Sequence, residues 1–327
     1  MSSPATTVSV VGEGAADADI PPRRPHAPRP ARKKNFAPAW LLSPAGIVIL
    51  TLIGAPIAFL VFTSFTDYSQ RSLFTGAFSG VGFDQYVSIF TNPDFWWSVW
   101  LTLIFTATMV AGSMVVGMAV SQLLTRMSSR MRYVVTVALI LAWAMPNVAS
   151  SVVWNWLFQP GYGVINWLMT QTHVFGDMTN VNWAQSPTLA YAAIWLLIVW
   201  QAVPFIALTL YAAQSQVPAE YFEAARLDGA GEWRIYRTVT LVFLRPTILL
   251  FTILSIIWDF NVFNQIWLVS QGGPGNATST LGIFTYKEAF VSFHLGEGAA
   301  IAVVTTVMLM ALTAFYIRAL IRSGEEL

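Results

Sequence analysis

No cysteine occurs in the 327 residues, which excludes disulfides, a thiol nucleophile and a thiolate metal site. Charge is also scarce: 10% of residues are Asp, Glu, Lys or Arg, against about 25% in an ordinary soluble domain. The net charge of +1 gives no overall basic signature for nucleic acid. There are three histidines, and neither His173 nor His294 has a metal-ligand companion at useful sequence spacing. No GxxxxGK[ST] loop is present to cradle nucleotide phosphates. No nucleophile–base constellation is legible either, so the chain does not read as an enzyme. Apolar residues, by contrast, make up 56% of the chain. The mean hydropathy is +0.60, which points to an integral membrane protein.

Six apolar segments are near or above the roughly 20 residues that cross a bilayer as a helix. They are approximately 40–65, 98–124, 133–158, 188–213, 246–270 and 298–320. Ten-residue apolar–polar alternation is absent, so helices are expected rather than barrel strands. The expected fold is an all-α membrane protein with six transmembrane helices, its membrane domain covering 40–320. Residues 1–39 are rich in Pro, Ala and Arg and read as a disordered cytoplasmic tail, with a short second tail at 321–327. The apolar run after the first tail is too long for a cleaved signal and is read as retained. Fifteen of the 17 Lys and Arg fall in alternate connections and tails, leaving Arg71 and Lys287 on the other side. Positive-inside bias then places both termini and the 214–245 loop in the cytoplasm.

That loop contains EAARLDGAGEWRIYRTVTLVFLRP, residues 223–246. Pro218 is expected at a first helical position, with Glu220 in the positive end of the helix dipole. Glu223 and Arg226 are spaced to pair. Gly229 suits a left-handed helix terminus. A second short helix from Gly231 would present Trp233 and Tyr236, and Pro246 would open the fifth crossing. Such a helix–turn–helix suits docking into a groove on a soluble partner.

The EAA at 223–225, Gly229, and Val239-Thr240-Leu241 together resemble the EAA signature of permease subunits of binding-protein-dependent ABC importers. The DGA at 228–230 resembles the carbohydrate branch, the maltose and glycerol-3-phosphate permease type. Three other stretches are similar to that family in order: GFDQYVSIFTNPDFW at 82–96, WNWLFQPGYGVIN at 154–166 and WDFNVFNQIWLVSQGGPGNAT at 258–278. One departure is Val242, where the family usually has proline. The resemblance implies a pore-forming subunit that carries no cofactor. Two ATPase subunits would supply ATP and Mg chemistry. A second permease, a paralogue by the same resemblance, would complete the pore, and an extracytoplasmic solute-binding protein would deliver substrate. The location implied is the cytoplasmic membrane of a bacterium, crossed several times. Carried onto this chain, the ATPase-coupling residues are Glu223, Ala224, Ala225, Asp228 and Gly229.

Polar and indole groups inside apolar segments mark the expected substrate path. They are Trp258, Asn261 and Asn264 in the fifth segment, Asn147, Ser151 and Trp154 in the third, and Gln201 in the fourth. Amides can replace a sugar's hydrogen bonds to water, and indoles can stack on its C–H faces. A sugar or oligosaccharide is the expected cargo. Glycerol 3-phosphate, another polar solute and an ion-coupled secondary carrier stand as alternatives. The external loop residues Asn166, Trp167, Asn180 and Trp183 are read as a surface for the binding protein.

Overall fold

The computed structural model describes residues 37–322, so most of the N-terminal tail and residues 323–327 lie outside the described residues. The chain divides into two units between Leu52 and Ile53, and the described residues of the first form α1, Ala37–Ile49. The second begins with α2 (Ala55–Thr63), α3 (Gln70–Thr75) and α4 (Asp84–Thr91). It continues through α5 (Pro93–Arg126), α6 (Ser129–Trp143), α7 (Asn147–Leu157), α8 (Val164–Gln171) and α9 (Pro187–Gln214). Then come α10 (Ala219–Leu227), α11 (Glu232–Ile235) and α12 (Leu241–Phe260), followed by α13 (Asn264–Ser270), α14 (Leu281–Tyr286) and α15 (Leu295–Arg322).

Among the described residues, five helical stretches are long and apolar enough to cross a membrane, and α6 with α7, bent by 101°, makes a sixth if the pair is one span. The expected third crossing is therefore broken. Pro146 disfavours a helical conformation at Met145, and α6 closes with the Ala144 N–H on the Ile140 carbonyl. The fifth crossing also departs from expectation. It runs without interruption from Glu232 to Phe260, with a π-helical segment at Tyr236–Thr240, so Pro246 lies inside the helix and does not open it. It stops at Phe260, where Asn261 Nδ2 donates to the Ile257 carbonyl, and α13 restarts at Asn264.

Local sequence explains the longest helix, α5. Asn92 caps it by accepting from the Asp94 N–H at 2.9 Å, Pro93 follows, and Asp94 and Arg126 complement the dipole at either end. The core forms where α5 packs along α9. Phe105 and Met109 meet Ile194 and Ile198, and one or two turns further on Met114 meets Ile206 and Leu210. Close approach is possible because Gly112 lies beneath the Trp195 indole and Gly117 beneath Ile206. The central helix is α9, with 56% of its most apolar window buried against 11% for α15.

Arg132 ties three elements together. Its guanidinium donates to the Leu124 and Met127 carbonyls at the end of α5, at 3.0 and 2.9 Å, and to the Tyr211 hydroxyl of α9 at 2.9 Å. These bonds satisfy carbonyls that the helix end would otherwise leave open. Arg132→Ala is expected to cost about 2 kcal/mol, the scale of hydrogen bonds made by a charged group. Arg132→Lys should recover only part of that loss, since an ammonium cannot reproduce the planar fork. Denaturant titration of the three proteins in detergent checks the order.

Candidate functional site

Two regions gather the residues singled out in the sequence. The first is the connection from α9 to α11. Pro218 sits one residue before α10 in an extended conformation, as its cap and not its first helical residue. Glu223, Ala224 and Ala225 lie on α10, and Asp228 ends it. Gly229 adopts φ +76°, a left-handed conformation that a Cβ makes costly. Its N–H donates to the Arg226 carbonyl, and the Ala230 N–H donates to the Ala225 carbonyl, both at 3.0 Å. That pair of bonds is a Schellman closure. The chain then reverses into α11.

The reversal changes the expected ion pairing. Arg226 reaches Glu232 at 3.4 Å rather than Glu223, and Arg126 at the end of α5 reaches the same carboxylate at 3.6 Å. All three side chains are exposed, so the bonds add little stability, but they set the turn against α5. Glu232 and Arg126 were not legible as site residues, because their meeting depends on the fold. Leu227 and Trp233 project into the open at 89% and 69% exposure, and Trp233 stacks on Tyr236. Tyr221 packs on Phe243. A cavity of about 450 Å³ lies behind the turn, bordered by Glu223, Arg226, Glu232 and Tyr211. The result is an exposed apolar knob on a short helix with charged shoulders.

The second region is a cavity of about 610 Å³ among α6, α7, α9, α12 and α13. Asn147, Gln201, Trp258, Asn261 and Asn264 all line it. The helix break at 261–263 does not scatter the fifth-segment residues, because α13 turns Asn264 and Gln265 back onto the same space. Gln265 Nε2 donates to Gln201 Oε1 at 2.9 Å, while Gln201 Nε2 and Asp259 Oδ2 have no protein partner. Trp143 stacks on Phe205 at an interplanar angle of 12°, and Phe205 meets Trp258. None of the described residues lining the cavity is Lys, Arg or His. Buried polar atoms in an apolar setting are costly unless matched, so open donors and acceptors beside aromatic faces suit a polar guest that also has apolar faces.

Ser151 and Trp154 are not among them. Ser151 is fully buried and donates to the Asn147 carbonyl at 2.7 Å. Trp154 donates to the Ala193 carbonyl at 3.2 Å and lies against Trp200 and Phe158. Trp154 thus joins α7 to α9, while the Ser151 bond stays within α7. Asp259, Gln265, Trp143 and Phe205 are cavity residues that the sequence reading did not select. A carboxylate amid an apolar run was the available signal for Asp259.

At the other end of α5, the expected loop surface is partly internal. Trp183 Nε1 donates to Asn166 Oδ1 at 2.6 Å with both residues buried, whereas Trp167 is exposed. The 272–279 turn is pinned by Asn276, whose side chain accepts from Lys287 and whose carbonyl accepts from Trp97 Nε1, each at 3.2 Å. Burial pushes the Lys287 ammonium below its usual range, and nearby Asp94 opposes that shift. His294 is not isolated: Glu288 lies 3.3 Å from its Nδ1 and Glu297 3.9 Å.

A multi-pass helical membrane protein with a polar cavity between its helices and an exposed capped turn has the make-up of a membrane permease. The chain belongs to the family of binding-protein-dependent transport system inner membrane components, whose family model matches residues 113–324. It is 40% identical over 296 residues to the diacetylchitobiose uptake system permease protein of Streptomyces coelicolor, covering 90% of each chain. The sulfoquinovosyl glycerol transport system permease protein of Agrobacterium fabrum is 34% identical, with 85% of this chain and 88% of that one covered. The trehalose/maltose transport system permease protein of Thermococcus litoralis is 30% identical, over 73% of this chain and 79% of that one. A solved bacterial ABC transporter involved in alginate import shares the fold, with a TM-score of 0.75 at 18% identity, over 89% of this chain and 99% of that one.

Proposed function

We propose that the chain is a pore-forming subunit of an ABC importer that moves a neutral sugar or oligosaccharide inward, and that the α10 turn couples it to an ATPase. The observation that carries the substrate reading is the 610 Å³ cavity, where amides and indoles meet without a cationic side chain among the described lining residues. An anionic cargo such as glycerol 3-phosphate calls for Arg or Lys there. The relatives named for diacetylchitobiose, sulfoquinovosyl glycerol and trehalose/maltose transport support a carbohydrate. ATP and Mg belong on two partner ATPase subunits. A paralogous permease completes the pore, and an extracytoplasmic binding protein supplies the sugar. Both termini and the turn face the cytoplasm of a bacterial cell.

The geometry suggests how coupling works. The turn joins a helical stretch of 29 residues, Glu232–Phe260, which at 1.5 Å per residue is about 43 Å long. Its first residue, Glu232, holds the turn, and its last two turns carry Ser255, Trp258 and Asp259 into the cavity. Val242, where the family usually has proline, leaves the backbone there free to continue the helix. Movement of ATPases docked on Leu227 and Trp233 would reach the cavity as a rigid-body shift of one helix.

The experiment is transport in vesicles containing the full complex, across a panel of sugars. Asn261→Ala and Asn264→Ala are each expected to raise the KM for one sugar by about tenfold, the scale of one or two lost hydrogen bonds. ATP hydrolysis without sugar should be unchanged. Uptake that follows an ion gradient and survives ATP depletion would instead establish a secondary carrier.

A further inference from the structure

We infer that Glu288, His294 and Glu297 form a binding site for a divalent transition-metal ion, distinct from both regions above. Each offers one ligand atom, and these atoms all lie within 4.8 Å of one another. One imidazole and two carboxylates make a mixed set that suits zinc, which takes N and O donors and can keep a fourth position for water. The two carboxylates repel each other, and a shared cation removes that cost.

The surroundings fix all three ligands. Glu288 lies in the π-helical segment Lys287–Val291, and Glu297 in the first turn of α15. Between them the chain turns sharply at Phe293, with φ +58°, and the His294 N–H donates to the Glu288 carbonyl at 2.9 Å. That bond folds the imidazole back over the first carboxylate. The turn is held from outside by Gln70, whose N–H donates to the Phe293 carbonyl, and by Tyr68, whose carbonyl accepts from Gly296. Ser88 on α4 donates to Glu297 Oε1 at 3.3 Å and leaves Oε2 facing the imidazole. A hydroxyl orienting a ligand carboxylate is the usual outer support of a metal site. Glu288 and Glu297 are about four-fifths shielded while His294 is mostly open, so an ion has both a sheltered seat and an entry path. The site lies at the Asp94 end of α5, about 50 Å along that helix from Arg126 and the capped turn. An ion here would clamp α15 to the preceding segment and leave a coordination position open to water or to a partner's side chain.

The test uses the full chain on a histidine-free tag, purified in detergent and stripped with a chelator. Zinc alone is titrated by calorimetry near neutral pH. One zinc per chain is expected, with a raised unfolding temperature. His294→Ala and Glu297→Gln should each weaken binding at least about tenfold, Ser88→Ala up to about tenfold, and His173→Ala not at all. A second measurement needs no variant: zinc should protect His294, but not His173, from an imidazole-modifying reagent read out by mass spectrometry. The inference is overturned if the wild-type chain takes up no stoichiometric zinc, if His294→Ala binds as wild type does, or if zinc leaves His294 unprotected.

Discussion

Gly229→Pro is expected to abolish sugar-stimulated ATP hydrolysis by the assembled importer while leaving the membrane helices intact. The native φ is +76°, and proline is confined near −65°, so the Schellman closure cannot form. The bond from the Gly229 N–H to Arg226 is lost as well. The surrounding space is open, with no atom within 4 Å of an added Cβ, so the damage stays in the backbone of the turn. That openness sets a graded series. Gly229→Ala should cost about 1–2 kcal/mol locally and reduce stimulation in part. Gly229→Asn should retain most of it, since asparagine tolerates the left-handed region. The measurement is ATP hydrolysis in lipid vesicles with and without the loaded binding protein, alongside subunit stoichiometry. Proline-variant complexes that assemble and still respond to sugar would reduce the turn to a solvated connector.

Gly112→Leu should have the largest effect on the fold. An added Cβ would fall on the six-membered ring of Trp195, 2.9 Å from Cε2 and 3.0 Å from Val199 Cγ2. Trp195 has little freedom to retreat, because its Nε1 donates to the Thr108 carbonyl at 2.9 Å and the Thr108 hydroxyl bonds that of Tyr191. Overpacking a well-filled core costs about 1–3 kcal/mol or more, and here it falls on the seam between α5 and the central helix. Little folded, monodisperse protein is expected from the leucine variant, with Gly112→Ala intermediate. Trp195→Phe removes the ring atoms in conflict and should rescue Gly112→Ala in a double-mutant cycle. Equal stability of wild type and Gly112→Leu in detergent would show that this seam is not closely packed.

The sequence by itself determined the class of the protein, because scarce charge, long apolar runs and one-sided Lys and Arg report directly on solvent. It also determined the left-handed turn at Gly229, since that depends on one residue's own backbone freedom. Helix ends were less legible. Pro246 reads as a start, yet the helix begins at Glu232, because a proline's missing N–H and ring clash can be accommodated within a packed membrane helix. Asn147, Gln201, Trp258, Asn261 and Asn264 were visible as costly polar or indole groups in apolar segments, but Ser151 and Trp154 carried the same signal and serve packing. On α7 what separates them is position along the helix: Asn147 stands at the first residue beside the bend and borders the cavity, whereas Ser151 and Trp154 lie one and two turns further on, packed away from it. Only the tertiary structure brought Glu232 to Arg126, Gln265 to Gln201 and Ser88 to Glu297, across separations of 106, 64 and 209 residues. Local propensity acts over a few residues, whereas hydrogen bonds and ion pairs act over a few ångströms, and folding alone converts one into the other.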